Sequence, residues 1–305
     1  MKRVVYLAVL ILFVAGCPKS VMENSTYPPV PGSIAPWGSN ARGECNVSMP
    51  NEGFTAFSAG VSVSFGIRAD GSIEAWGWNV HGACDIPEPN TGFIDVSASD
   101  NVLGLKEDGS IVAWGASTGT HMVPAPNTGF VAISSGGHHN MGLKQDGSIV
   151  AWGRNSSGQC SVPEPNSGFV AIAAGLLHSM GLRDDGSIEA WGWNMYGQCD
   201  VPTPNSGFVA IACGSSHSLA IRDDGSIAAW GNNEEHQCDV PFLNEGYIDV
   251  TAGYEFSVGL KADGTIVAWG LDETGFGYLT GIPESDSNFI AVDAGDVHCL
   301  ALRGL

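Results

Sequence analysis

The sequence predicts an all-β fold, a seven-bladed β-propeller, from three periodic observations. A Trp-Gly pair recurs at Trp37, Trp76, Trp114, Trp152, Trp191, Trp230 and Trp269, with spacings of 38 or 39 residues. An aromatic residue opens a short apolar run at Phe54, Phe93, Phe130, Phe169, Phe208, Tyr247 and Phe289. Asp-Gly recurs at Asp70, Asp108, Asp146, Asp185, Asp224 and Asp263. The octapeptide SIEAWGWN at 72–79 returns at 187–194, three periods later. A unit near 40 residues with three or four short antiparallel strands is a propeller blade, because so thin a sheet buries its faces only against its neighbours.

Residues 1–17 precede the repeats. Lys2-Arg3 and the apolar run Val4–Val14 lead into VAGC, which resembles a bacterial lipobox ending in Cys17. The run is too short for a membrane-spanning helix and reads as a signal peptide, with Cys17 as the lipid attachment site. Residues 18–31 are polar and proline-rich and read as a tether. The propeller covers 32–305. Its first unit holds only a third strand, GSIAPWG at 32–38, and its last only two, within 289–305. The halves add to one blade, so the N-terminal strands complete the C-terminal blade and leave no open sheet edge.

One complete unit, 167–205, justifies the interior. GFVAIAAG is a first strand, and HSMGLRDDG alternates His178, Met180 and Leu182 on one side of a second. Asp185-Gly186 predicts a two-residue type I′ hairpin. SIEAWG is the third strand, NMYGQ a loop, and CDVP a short edge strand ended by Pro202 and Pro204.

Glycine accounts for 42 of 305 residues, and its periodic placement marks turns. The formal charge is −20 and there is no basic stripe, which argues against a nucleic-acid partner. Cys45, Cys84, Cys160, Cys199 and Cys238 share one repeat position, and Cys213 and Cys299 lie on other strands. Equivalent positions in adjacent blades approach bridging distance only near the axis, so these are expected to be free thiols packed as small apolar residues. No CxxC, HxxxH or DxDxDG pattern occurs, so no metal is expected. No nucleophile–base pair or phosphate loop stands out, and neither a cofactor nor an enzyme is expected. His139, His178, His217 and His298 share a position held elsewhere by Val63, Asn101 and Phe256, which indicates packing.

The pattern AAG-xx-HS-x-GL-x-x-DGSI-x-AWG-x-N-x-x-GQ-x-x-VP is nearly intact at 173–202 and 212–241. With it, residues 32–305 resemble the regulator-of-chromosome-condensation repeat family, and within it the bacterial branch that includes propeller-type β-lactamase inhibitors. The resemblance implies the propeller fold and an inhibitor-like binding role. Those inhibitors carry aromatics on the loops between first and second strands. Here Tyr254 is the one aromatic in that loop set, so the resemblance does not carry β-lactamase over as a target.

The loops between first and second strands and the loops after Trp-Gly open on one face. Their tips vary while the strands repeat. Trp78 and Trp193 occupy a position that elsewhere holds Ser39, Ala116, Arg154, Asn232 and Leu271, so the fold does not demand tryptophan there. The expected contact surface comprises Trp78, His81, Leu176, Leu177, Trp193, Tyr196, Tyr254, Phe276 and Tyr278, since exposed aromatics are common binding anchors. The expectation is a monomeric, extracytoplasmic module, held to a membrane by a lipid on Cys17, that binds a protein partner. The alternative is a cell-envelope enzyme or glycan binder using the same face or the central channel.

Overall fold

The computed structural model describes residues 31–79, 81–115, 122–271, 281–283 and 288–304. Cys17, Phe276 and Tyr278, and the leader and tether up to residue 30, lie outside the described residues. Strand β1 spans Ser33–Gly38. Blade 1 is β2 (Phe54–Ala59), β3 (Val63–Arg68) and β4 (Ile73–Gly77). Blade 2 is β5 (Phe93–Ala98), β6 (Val102–Lys106) and β7 (Ile111–Trp114), and blade 3 is β8 (Phe130–Ser135), β9 (His139–Lys144) and β10 (Ile149–Gly153). Blade 4 is β11 (Phe169–Ala174), β12 (His178–Arg183) and β13 (Ile188–Gly192), and blade 5 is β14 (Phe208–Cys213), β15 (His217–Arg222) and β16 (Ile227–Gly231). Blade 6 is β17 (Tyr247–Ala252), β18 (Phe256–Lys261) and β19 (Ile266–Gly270). Blade 7 combines β20 (Phe289–Ala294) and β21 (His298–Arg303) with β1.

Every sheet is antiparallel, and β21 lies between β20 and β1, with Ser33 opposite Arg303 and Gly38 opposite His298. This is the predicted closure. The first strands of successive blades touch one another and surround the axis. The apolar core lies between blades. One cluster joins Phe65 and Ile67 of blade 1 to Phe93, Val102 and Trp114 of blade 2, and another joins Met180 and Leu182 of blade 4 to Phe208 and Trp230 of blade 5. A single sheet thus has no private core, and stacking supplies it.

A polar relay fastens the seams. Trp191 Nε1 donates to the Gln159 carbonyl at 2.9 Å, and Ser179 Oγ donates to the same carbonyl at 2.9 Å. The GQ loop of one blade therefore caps the tryptophan of the next. Gly192, at φ +106°, brings the backbone close, since a Cβ there would lie 2.7 Å from the Leu177 carbonyl.

Two local expectations are corrected. The predicted CDVP edge strand is irregular chain in every described unit, because local contacts consume its polar groups. Asn194 Oδ1 accepts the Cys199 amide at 2.8 Å, and Asn194 Nδ2 donates to Asp200 at 2.8 Å. The fourth strand's pairing is supplied by one side chain instead. Asn205 Oδ1 accepts the Ile188 amide at 2.8 Å, and its Nδ2 donates to the Ile188 carbonyl at 2.9 Å. The Asp-Gly hairpins are also one residue longer than type I′. Arg183 pairs with Ser187, Gly186 N donates back to Arg183 at 3.0 Å, and only Gly186 takes positive φ. This is a type I turn followed by a left-handed glycine. Asp185 accepts the Ser187 amide and hydroxyl, which holds its carboxyl below the usual range.

Candidate functional site

The loops after Trp-Gly do sit beside the loops between first and second strands. Trp193 N donates to the Leu177 carbonyl at 2.9 Å, and Trp78 N donates to the Ser62 carbonyl at 2.8 Å. The Asn194 clamp and the Tyr196 amide, which donates to Gln198 Oε1 at 3.0 Å, fix the tip that carries Trp193 and Tyr196. Those two rings meet edge to face at 5.4 Å. Trp78 and His81 form the corresponding pair at 6.0 Å, with the Arg42 guanidinium 3.6 Å above the indole.

Trp78, Tyr196 and Tyr254 are exposed, while Trp193, Leu176 and Leu177 are half-buried. The pairs belong to blades 1 and 4, and Tyr254 belongs to blade 6. The described aromatics therefore stand as separate knobs around the rim. Leu176 leans over blade 3, where a Cβ on Gly137 would meet its Cδ1 at 2.3 Å.

The repeated histidines are in the core. His139, His178, His217 and His298 are fully buried, and each Nε2 meets a serine hydroxyl of the next blade at 2.7, 3.1, 3.0 and 2.7 Å. Each serine already donates to a backbone carbonyl, so Nε2 bears the proton and Nδ1 is left without a partner. Burial pushes their pKa values down to about 4 for His139, His217 and His298 and about 3 for His178. At the same seam of blades 2 and 3, Asn101 donates to Asn140 at 2.6 Å.

On the axis, Ser58, Ser97 and Ser134 accept amides of the next blade, from Ala98, Ser135 and Ala174. Asp293 does so at the closing seam, accepting the Ala59 amide at 2.9 Å. Burial raises its pKa to about 7. The loop-face mouth of the axis is a depression of about 100 Å³, and its lining includes Asp100 and Asp296. Burial and the Asp100 charge raise the Asp296 carboxyl to about 6. Burial, with Glu235 and Glu234 nearby, also raises the Glu255 carboxyl.

The cysteines are free among the described residues. The repeat-position thiols are half-buried, and Cys45, Cys160, Cys199 and Cys238 donate to the carbonyl six residues earlier. Burial raises Cys199 to about 11 and Cys238 to about 12, which keeps them protonated.

A feature absent from the expectations governs the opposite face. The last residue of each second strand is Arg68, Lys106, Lys144, Arg183, Arg222, Lys261 or Arg303. Each places its cation 3.5–5.1 Å from the centre of its own blade's opening aromatic ring. The signal was legible, since a basic residue stands at this point in every unit.

The profile described as "Regulator of chromosome condensation (RCC1) repeat" matches residues 130–159, 169–198, 208–237 and 247–275. The chain is thus a seven-bladed β-propeller, four stretches of which match the RCC1 repeat. The comparison with curated proteins found no match. Among solved structures, Prp20p from Saccharomyces cerevisiae, studied with its binding to Gsp1p and histones, aligns with a TM-score of 0.74 and 18% identity over 90% of this chain and 92% of that one. Yeast RCC1 (Prp20) bound by Kap60 gives 0.73 and 17% over 100% and 97%. The CRINKLY WD40 ectodomain of the Arabidopsis thaliana receptor kinase ACR4 gives 0.63 and 24% over 77% and 85%. These likenesses concern the fold.

Proposed function

We propose that the chain is a protein-binding module working through its loop face, held outside the cytoplasm by a lipid on Cys17. The carrying observation is the exposure of Trp78, Tyr196 and Tyr254 on the loop face. The framework behind that face is a rigid stack, so partner recognition rests on the tips. The buried histidines are walled into seams and have no route to a substrate, which favours binding over catalysis. The yeast propellers are described with protein partners, Gsp1p, histones and Kap60, and a protein partner is proposed here by analogy of fold.

Alanine at Trp78 and at Trp193 tests the face. The fold should lose about 0.5 kcal/mol or less at exposed Trp78 and more at half-buried Trp193, while capture of the partner should weaken by at least ~2 kcal/mol at a central anchor. A sharp fall in melting temperature would make the rings structural. Unchanged capture with intact stability would move the surface elsewhere. The address is tested separately with Cys17→Ala, which should abolish incorporation of labelled fatty acid. Label retained on that variant would remove the anchor from Cys17.

A further inference from the structure

Charge is partitioned between the two faces. Seven of the nine lysines and arginines in residues 31–304 are held over blade aromatics, leaving Arg42 and Arg154 on the loop side. Arg42 stacks on Trp78, and neither arginine lines the axial depression. The depression instead holds Asp100 and Asp296. Asp100 has a distant partner in His138, with Nδ1 at 3.7 Å.

The lining of the depression includes these two carboxylates and no basic side chain, while the rings of His139, His178 and His217 stand fully buried behind Gly136, Gly175 and Gly214 and do not open onto it. A hollow with two carboxylates is complementary to a cation. Its volume of about 100 Å³ greatly exceeds the ~10–15 Å³ that admits a single water. It therefore has room for a side-chain head.

We propose that the axial depression is the anchor site for an arginine or lysine side chain presented by the protein partner. This rests on the protein-binding reading and specifies the chemistry of the partner's central contact. The cation would sit between Asp100 and Asp296, at the loop-face mouth of the axis. The raised Asp296 carboxyl agrees with a carboxylate that lacks a counter-ion in the free protein.

The test is an amide-shift titration of the labelled propeller with acetyl-Gly-Arg-Gly-amide, its citrulline counterpart and calcium chloride. The arginine peptide should shift the amides of Gly175, Gly214 and Gly253 saturably, and the neutral citrulline peptide should not. Combining Asp100→Asn with Asp296→Asn should leave the fold intact, with a melting temperature at neutral pH no lower than before, and weaken the arginine peptide by about tenfold or more. The proposal is overturned by no saturable shift, by an equal response to citrulline, or by calcium saturating these amides where the peptide does not. The peptide needs no partner, so a negative result beside intact partner capture removes the anchor alone. Failed capture counts against the protein-binding reading on its own readout.

Discussion

His178 shows how one residue ties composition to acid stability. Its imidazole is neutral in the seam and ionises only near pH 3, whereas an exposed histidine ionises near 6.5. A depressed histidine pKa means the unfolded chain binds protons first as pH falls. Stability is therefore full above about pH 6.5 and is lost as pH drops toward the folded values of 3 to 4. At pH 5 each of the four seam histidines should cost roughly 2 kcal/mol. Asp293 and Asp296 act in the opposite sense. Their folded pKa values, about 7 and about 6, lie above the unfolded value, so their contribution is largest in acid and fades as pH rises through those values. Four histidines outweigh two carboxyls, and the net loss from pH 7 to pH 5 should be on the order of 4 kcal/mol. Melting temperatures across that range check it, and a flat or rising profile would contradict the seam assignment. Ser218→Ala, which strips His178 of its acceptor, should cost about 1–3 kcal/mol in a denaturant melt.

The strand-and-turn scale shows what was readable and what was not. Strand starts, glycine positions and the closing half-blade were legible, because each follows from a periodic burial or a backbone demand that recurs seven times. The missing fourth strand was not, because CDVP has strand composition while its polar groups are taken by the side chain of Asn194, five residues before Cys199. Asn205 replaces that strand with two hydrogen bonds. Asn205→Ala should cost about 1–3 kcal/mol by leaving both Ile188 groups half-satisfied, and Asn205→Asp should cost less because it keeps the acceptor. Equal losses in urea melts would refute the two-bond account. The candidate site was legible only in part. Variable tips were visible along the chain, and so were Trp78 and Tyr196. The axial depression was not, because Asp100 and Asp296 meet only through closure of the ring.

At the scale of the whole molecule, the pairing of β1 with β21 carries the ring. Deleting 32–50 should strip the outer strand from blade 7 and lower the melting temperature markedly, while deleting 18–31 should change it little. Equal melting temperatures would reject that account. The same pairing also sets an order of events during biosynthesis. Ser33–Gly38 is made before any complete blade, yet its hydrogen-bonding partner His298–Arg303 is made after all six complete blades. The first strand of the ring is therefore the last to be seated, and both flanks of the growing stack stay open until β21 is made. Long-range pairing of this kind is slow and prone to cross-chain association. Holding assembly back until β21 arrives would keep half-built rings from closing on the wrong neighbour.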